Sequence, residues 1–264
     1  DGTTASTGAS RSDDNYGSAY ISWATREQPI SIRNSTLRKA KAKFQRANVY
    51  EMAIKRAIRE MNNALATDLY TGSPTDQSLE DWDAPLGLQQ WIRTTGTIGG
   101  WNRTNAGLDS AGYTTAATNI TLTTLDDANI DGPVQKGGNI DLWIMPPTLY
   151  KKLKKEAQVS MQTIVVQNSS PEIGQVGFLK EYFMYNGMMI TFDPFAPASS
   201  LFGLDTSSWL FEVSGSDNWR VGKFNDIGED GPPGSQDITA SKIRTSFRLV
   251  CEEPWLNVQY TTAS

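Results

Sequence analysis

The chain has 264 residues, of which 38% are hydrophobic and 20% charged, the composition of a globular protein large enough for a sizeable core. Histidine is absent and Cys251 is the single cysteine, which excludes Ser/His/Asp and Cys/His nucleophile systems, His-based zinc sites and an internal disulfide. The net charge of -5 argues against general binding of nucleic acid.

Small and polar residues open the chain and predict an N-terminal arm. Residues 1–17 are rich in Gly, Ser, Thr and Asp and cannot build a core of their own. They lack the basic start and apolar stretch of a signal peptide. The sequence also contains no run of about 18 apolar residues, so no membrane span is predicted. Because the first residue is Asp1, we expect that a longer precursor has been trimmed or that an N-terminal segment is absent from this sequence.

Two segments of strand composition come next. Residues 19–24 and 28–32 are rich in aromatic and β-branched side chains, and residues 25–28 predict a turn between them. A two-stranded ribbon alone is only marginally stable in water. We therefore expect this excursion to lie on another surface, for which a second copy of the chain is a candidate.

The clearest local pattern predicts a long helix. Apolar residues share one helical face at spacings of three and four, namely Tyr50, Ile54, Ile58, Met61, Leu65 and Leu69. Asn48 and Glu51 have the spacing of a capping pair, but the same apolar face extends back to Leu37 and allows an earlier start. Gly72 and Pro74 are expected to end the helix.

Positive charge is concentrated in the same stretch. The basic residues there are Arg33, Arg38, Lys39, Lys41, Lys43, Arg46, Lys55, Arg56 and Arg59. The rest of the chain is acidic. Such asymmetry can serve contacts between oppositely charged subunits as well as contacts with nucleic acid.

Short strands dominate the remainder and predict an α+β fold. Strand patterns occur at 119–124, 140–145, 162–167, 188–192, 208–213, 219–223, 246–252 and 256–260. Between two of them, Pro147 or Thr148 is expected to open a short helix with Leu149, Tyr150, Leu153 and Ala157 on one face.

No motif in the sequence predicts a catalytic, metal or cofactor site. The acidic segment 126–131 lacks the ligand spacing of a calcium loop, so a solvated turn is the favoured interpretation. Glu252 and Glu253 are adjacent on a predicted strand and would point to opposite faces, which makes them a poor acid pair. We therefore expect a protein without catalytic residues, metal or cofactor.

Several motifs follow one another in a fixed order from about Ala19 to Tyr260. They are Asn62-Asn63-Ala64-Leu65 through Gly72, Gly87-Leu88 followed by Thr97-Ile98-Gly99-Gly100-Trp101-Asn102-Arg103-Thr104, Asp141-Leu142-Trp143-Ile144-Met145 with Leu149-Tyr150 and Leu153, Gly187-Met188-Met189-Ile190 with Asp193-Pro194 and Phe202-Gly203-Leu204-Asp205, and Arg248-Leu249-Val250-Cys251 to Pro254. In this order they resemble the major capsid proteins of tailed bacteriophages, whose Hong-Kong-type fold is shared by encapsulin shells. Trp101 departs from the family, which more often has an aliphatic residue there.

The resemblance implies a layout and a function. The layout is an N-terminal arm at 1–17, an extended loop at 18–36, a peripheral domain with a spine helix at 37–125, an axial domain at 126–215 and return strands at 216–264. The function is self-assembly as pentamers and hexamers into an icosahedral phage head that encloses double-stranded DNA without sequence-specific contact. Scaffolding, portal and decoration proteins are the further partners implied, with assembly in the host cytoplasm and residence in the virion.

The site expected for such a protein is a subunit interface. The residues expected in it are Trp23, Arg26 and Arg33 of the extended loop, Trp101 and Arg103 between capsomers, and Lys151 and Lys155 on the axial surface.

Three other functions stay open at this point. An encapsulin-like nanocompartment shell would hold cargo protein and no DNA. A carboxylate-based hydrolase would need two acids converging in a pocket, one of them with a raised pKa. A carbohydrate-binding protein could use the 8 tryptophans, and it would be monomeric and retain a glycan column.

Overall fold

The computed structural model describes residues 21–40, 42–74, 81–93, 96–98, 101–102, 120–160, 165–167, 181–227 and 237–261. Within these ranges the helices are α1 (Asn34–Lys39), α2 (Lys43–Thr71), α3 (Leu88–Trp91), α4 (Leu122–Asp131) and α5 (Pro147–Ser160). Short 3₁₀ segments lie at Val134–Lys136, Thr206–Ser208 and Pro254–Leu256.

The described strands form two large sheets and one short pair. The first sheet, called here the long sheet, contains β1 (Trp23–Arg33), β2 (Asp81–Trp82), β10 (Trp209–Val213), β11 (Arg220–Val221), β12 (Asn225–Ile227) and β13 (Ile238–Cys251). The second, the central sheet, contains β5 (Leu142–Met145), β6 (Val165–Gln167), β7 (Glu181–Tyr185), β8 (Met188–Phe192), β9 (Ser200–Leu204) and β14 (Val258–Thr261). The pair consists of β3 (Thr97–Ile98) and β4 (Trp101–Asn102). The α+β prediction is confirmed.

Strand order places β13 at the centre of the long sheet. The order is β10-β13-β1-β2, and β11 and β12 also pair with β13. The central sheet has the order β14-β9-β5-β8-β7-β6. Most neighbours are antiparallel, but β5 and β8 are parallel, as are β1 and β2.

β1 is one continuous strand, so the turn predicted at residues 25–28 is wrong. It pairs antiparallel with β13, from Ala24 opposite Phe247 to Arg33 opposite Ile238. The partner strand comes from the far end of the sequence and supplies a hydrogen-bonding edge along the whole of β1. Backbone groups in such a ladder are satisfied by the partner, which removes the need for a hairpin within the segment.

The predicted long helix is divided near Ala40. This residue leaves the helical region with ψ of 82° after α1, and its carbonyl accepts a 3.1 Å hydrogen bond from Nε of Arg46. The second helix, α2, takes Ala42 as its N-cap, so the earlier of the two predicted starts is nearer to the structure. The capping pair predicted at Asn48 and Glu51 is wrong, since both residues lie inside α2.

Gly72 ends α2, as predicted, and close packing explains why the residue is glycine. Its backbone nitrogen donates to the carbonyl of Asp68 at 2.8 Å, and its carbonyl accepts from the nitrogen of Gly87 at 2.9 Å. A Cβ at Gly72 would lie 2.4 Å from the carbonyl oxygen of Asp68 and 2.6 Å from that of Pro85. The helix therefore stops where two backbone segments meet.

The middle of α2 packs on the long sheet along the predicted apolar face. Ala57 and Met61 are buried against Ile30 of β1 and Ile243 of β13. The partly buried side chains around this cluster include Ile54, Ile58 and Leu65. Burying a large apolar side chain contributes about 1.5–3 kcal/mol, so this face holds the helix on the sheet. In contrast, residues 43–48 at the start of α2 are all exposed.

Two strands of the central sheet and α5 follow the sequence pattern, whereas β7 and β9 were not predicted as strands. The strands predicted at 140–145 and 188–192 and the helix predicted from Pro147 are confirmed. α5 leaves the end of β5, and Leu153 and Ala157 on its predicted face are buried in the core.

The strand predicted at 119–124 is wrong, because most of this segment begins a helix. Thr121 is the N-cap of α4, and its hydroxyl accepts a hydrogen bond from the nitrogen of Thr124. The buried positions Leu122, Leu125 and Ala128 have a spacing of three, which fits a helix and not a strand. The solvated turn predicted at 126–131 is wrong for the same reason.

A shared core joins the two sheets. It contains Trp82 and Leu249 from the long sheet and Phe202 from the central sheet. At its border the hydroxyl of Tyr70, on the last turn of α2, donates to a carboxylate oxygen of Asp193 at 2.7 Å. The end of α2 is thereby fixed to the segment that follows β8.

Candidate subunit interface

Arg26 joins β1 to α2 within the chain. Its Nε and Nη2 atoms each lie 2.6 Å from a different carboxylate oxygen of Asp68, a two-pronged contact. The Asp68 side chain is 12% exposed, whereas that of Arg26 is 37% exposed. One face of the guanidinium therefore remains accessible to a neighbour, but the residue already has a structural role.

Trp23 and Arg248 form a second contact on the long sheet. The guanidinium carbon of Arg248 lies 4.8 Å from the centroid of the half-buried Trp23 ring, a cation–π geometry. Arg248 also pairs with Glu212 on β10. The contact therefore ties β1, β13 and β10 together.

Arg33 stands at the exposed end of β1, opposite Ile238. Its neighbours are bound to one another: Arg38 pairs with Asp237 at 2.7 Å, and Asn34 also contacts Asp237. Within the described part of the chain, no carboxylate pairs with Arg33. Of the two charged residues predicted in the extended loop, Arg26 and Arg33, the second is the more exposed.

Lys151 and Lys155 project from the solvent side of α5, opposite the buried Leu153. Neither lysine has an ion-pair partner among the residues that the structure describes. Between them, Nζ of Lys154 lies 5.8 Å from the ring centroid of Tyr150. The two lysines lie on α5, beside the central sheet, and so belong to a different surface from Arg26 and Arg33.

The predicted contacts between capsomers fall at the edge of what the structure describes. Trp101 lies in β4, opposite Ile98 of β3. The side chain of Trp101 and the whole of Arg103 lie outside the described residues. Their role stays a prediction.

The structure adds an apolar strand edge that the sequence reasoning did not single out. Among the described strands β10 pairs only with β13, which leaves its other edge free of them, and its Leu210, Phe211 and Val213 are 39–48% exposed. Apolar side chains on both faces of an edge strand are unusual, since such an edge invites pairing with another chain. The only sequence signal for this edge was the apolar run Trp209-Leu210-Phe211 in a predicted strand. Such a run is equally typical of a buried strand, so it did not indicate an exposed edge.

A groove runs between this edge strand and α2. It has a volume of about 440 Å³. Leu65 and Leu69 line it from α2, Phe211 and Phe247 from the long sheet, and Arg59 stands at its rim. The groove and the free edge together offer an apolar surface that a neighbouring chain could cover.

The titratable groups inside the fold are arranged as structural contacts. Burial raises the pKa of Asp193, and its hydrogen bonds from Tyr70 and the nitrogen of Phe195 partly oppose this. On α4, Asp126 accepts hydrogen bonds from Tyr185 at 2.8 Å and Asn186 at 2.9 Å. Burial and this carboxylate raise the pKa of Tyr185 to about 12.

The described residues contain neither a metal-binding cluster nor a membrane-spanning helix. No group of three or more acidic or cysteine side chains there could hold a metal ion. No helix among them has the length and apolar character needed to cross a membrane.

Comparison with known proteins identifies the fold through structure and not through sequence. No protein-family model matches the chain, and no curated protein matches its sequence. Among solved structures, the capsid of cyanophage A-1(L) superposes with a TM-score of 0.59 at 13% identity, over 92% of this chain and 78% of that chain. The holo-SrpI encapsulin from Synechococcus elongatus gives a TM-score of 0.57 at 9% identity, over 90% and 73%. The capsid of the myovirus XM1 gives 0.53 at 13% identity, over 92% and 74%.

The chain therefore has the Hong-Kong-type fold found in tailed-phage capsid proteins and encapsulin. The likeness extends over about nine-tenths of the chain. At such low identities it concerns the fold alone, and no residue role is transferred by it.

Proposed function

We propose that this protein is a shell-building subunit, the major capsid protein of a tailed bacteriophage. It would assemble as pentamers and hexamers into an icosahedral head around double-stranded DNA. The observation that carries the proposal is the Hong-Kong-type fold over 92% of the chain in the cyanophage A-1(L) capsid comparison. Folds do not by themselves fix function, so the surface must also be suited to assembly.

The surface supports self-association. Nine large apolar side chains of the described residues are exposed, and three of them are on the free edge strand β10. A monomer in water gains nothing from such exposure, whereas a closed symmetric assembly buries it in every copy. The exposed cations Arg33, Lys151 and Lys155 would then lie at polar rims of these contacts.

The proposed layout assigns each part of the chain a place in the shell. Residues 1–17 form the arm, 18–36 the extended loop, 37–125 the peripheral domain, 126–215 the axial domain and 216–264 the return strands. Scaffolding, portal and decoration proteins are the proposed further partners, and assembly takes place in the host cytoplasm before residence in the virion. The interface roles of Trp23, Trp101 and Arg103 belong to the same proposal.

An encapsulin-like shell is the second candidate, because an encapsulin superposes on the chain about as well as a phage capsid does. Both candidates predict a closed shell and differ in its contents. In either case the protein is not an enzyme in this proposal. Its buried carboxylate Asp193 supports this view, since it is bound to Tyr70 in the core and not presented to a substrate.

Particle contents separate the two shells. The protein would be expressed with its neighbouring genes, and particles would be purified, treated with nuclease and opened. Protected double-stranded DNA of uniform length supports the phage head. A stoichiometric second protein without DNA supports the nanocompartment. Failure to obtain particles under any of these conditions would count against both.

A further inference from the structure

Charge is divided between the two ends of the longest strand. The 14 residues of β13 extend over about 44 Å at about 3.4 Å per residue. At one end Ile238 pairs with Arg33, beside α1 and the start of α2. At the other end Cys251 leads directly into Glu252 and Glu253. We call these regions the basic end and the acidic end.

At the basic end Arg38 is paired with Asp237, but three further cations have no carboxylate partner among the described residues. Lys39, Lys43 and Arg46 are exposed and form no ion pair with any residue that the structure describes. Further along α2 the pattern changes, because Lys55 pairs with Glu51 at 2.6 Å on the same helix.

Apolar surface accompanies this charge. The Phe44 side chain is 76% exposed, one residue after Lys43, and Met52 is 71% exposed two turns later. The start of α2 therefore projects a surface that is both cationic and apolar.

The acidic end has the opposite character. Glu252 and Glu253 are both exposed, and no cation pairs with either carboxylate in the described part of the chain. Two more carboxylates lie close by: Asp205 accepts hydrogen bonds from Ser207, and Asp141 contacts Thr206. The backbone bond from Glu252 to Ser208, 2.9 Å long, holds the two segments together.

Charge is also distributed unevenly along the whole sequence. Of its 24 basic and 29 acidic residues, 9 basic and 1 acidic lie between positions 33 and 59, which leaves 15 basic and 28 acidic elsewhere. The segment therefore carries a formal charge of +8 and the remainder carries -13. A second copy of the chain is thus a complementary partner for the basic segment.

We propose that the basic end of one copy docks on the acidic end of the next, in a head-to-tail contact. This inference rests on the proposed shell-building function and names one of its interfaces. A head-to-tail contact uses two different patches, so it closes into a ring when the rotation between copies allows it. Phe44 favours protein over nucleic acid as the occupant, because an exposed phenylalanine gains more from burial in a protein interface than beside a phosphate backbone.

Complementary charge reversals provide a test with an internal rescue. The first variant, Lys39→Glu with Lys43→Glu, lowers the formal charge of segment 33–59 from +8 to +4 and puts two carboxylates on the basic end. The second, Glu252→Lys with Glu253→Lys, replaces the two exposed carboxylates of the acidic end with cations. The control, Arg220→Glu with Lys223→Glu, changes two exposed cations near the middle of β13. Far-UV circular dichroism and urea unfolding would first establish that every variant is folded.

Sedimentation velocity and native mass spectrometry would then follow assembly of each variant alone and of a mixture in equal amounts. Like charges across an interface oppose association, so each end variant alone should need at least about tenfold more protein to assemble. The mixture should restore assembly with the two variants in a 1:1 ratio, and the control should behave as the unmodified protein does.

Three results would overturn the inference. If both end variants assemble as the unmodified protein does, the contact is elsewhere and the shell-building function stands. If only the basic-end variant fails and the mixture gives no rescue, the basic end binds another partner such as nucleic acid. If the unmodified protein itself never assembles while remaining folded, the proposed function fails and this contact fails with it.

Discussion

Arg26 on β1 donates hydrogen bonds from Nε and Nη2 to both carboxylate oxygens of Asp68 on α2, each at 2.6 Å. The sequence places these residues 42 positions apart, with a helix boundary between them. The pair holds the extended strand against the helix at the same side as the apolar contacts of Met61 and Ile30. It makes Arg26 a residue of the fold as well as a candidate interface residue.

Removing the arginine tests this structural role. Arg26→Met should lower the free energy of unfolding by about 1–3 kcal/mol, because Asp68 is left mostly buried without its partner. Urea denaturation would measure the change. Lys242→Met is the matched control, since its pair with Glu27 is exposed and should contribute less than about 1 kcal/mol. Equal effects of the two substitutions would contradict the assignment.

Charge reversal at Arg33 should act on assembly and not on folding. The side chain is exposed and has no carboxylate partner among the described residues, so Arg33→Glu should change the free energy of unfolding by less than about 0.5 kcal/mol. If Arg33 lies in a subunit contact, fewer particles should form at the same protein concentration. Reversal at Arg26 cannot be read so simply, because it would disturb the subunit fold as well.

The end of α2 depends on a glycine that packs against backbone. Gly72→Ala should destabilise the protein by about 1–3 kcal/mol, since the new Cβ would lie 2.4 Å from the carbonyl oxygen of Asp68. Thermal unfolding of the unassembled variant and of the unmodified protein would measure this. Gly215→Ala is the control, because no atom lies within 4 Å of its new Cβ. The account is wrong at this point if the two variants unfold at the same temperature.

Asp193 should give the subunit a pH-dependent stability. Burial raises its pKa in the folded state, so folding favours the protonated carboxyl. Its contribution is fully present below the ordinary aspartate pKa of about 3.9 and is lost as pH rises through the raised value. Asp193→Asn should remove this dependence. The free energy of unfolding of the unmodified protein minus that of the variant should therefore fall as pH rises and then level off.

Tyr70→Phe tests the same group from the other side. The tyrosine hydroxyl donates to the ionised carboxylate at 2.7 Å and lowers its pKa. Without it, the loss of stability should move to higher pH. A profile that coincides with that of the unmodified protein, measured by urea denaturation from pH 4 to pH 8, would mean that the hydrogen bond does not affect the titration.

The free edge of β10 should matter for association more than for folding. Val213→Lys places a charge on an edge that a neighbour would cover, and we expect loss of assembly with less than about 1 kcal/mol change in the free energy of unfolding. Val213→Thr keeps a β-branched side chain of similar shape and serves as the control. Normal particles from the lysine variant would place this edge outside the interfaces.

The sequence pattern correctly predicted those helices and helix ends that are determined by neighbouring residues. The face of α2 from Ile54 to Leu69, its end at Gly72 and the helix from Pro147 all follow from spacing and backbone chemistry. The continuous β1 could not be predicted in this way, because its partner β13 lies near the other end of the chain. At Leu122 the alternation fitted a strand, and burial of Leu125 and Ala128 on one side selected the helix.

The candidate site shows the same division. The family resemblance predicted Trp23 and Arg26 at a subunit contact, which stays a prediction. Within the chain their partners Arg248 and Asp68 are set by long-range packing. The apolar edge at Phe211 became visible only once the strand order was known. An interface is a property of assembled surfaces, so single-chain periodicity carries little information about it.

The central claim is that this chain builds a closed shell. Sedimentation velocity of the purified protein over a wide range of concentrations, followed by negative-stain microscopy of each boundary, tests it most directly. We predict five- or six-membered rings or closed icosahedral particles. A folded 264-residue monomer at every concentration, with and without the products of neighbouring genes, would contradict the account.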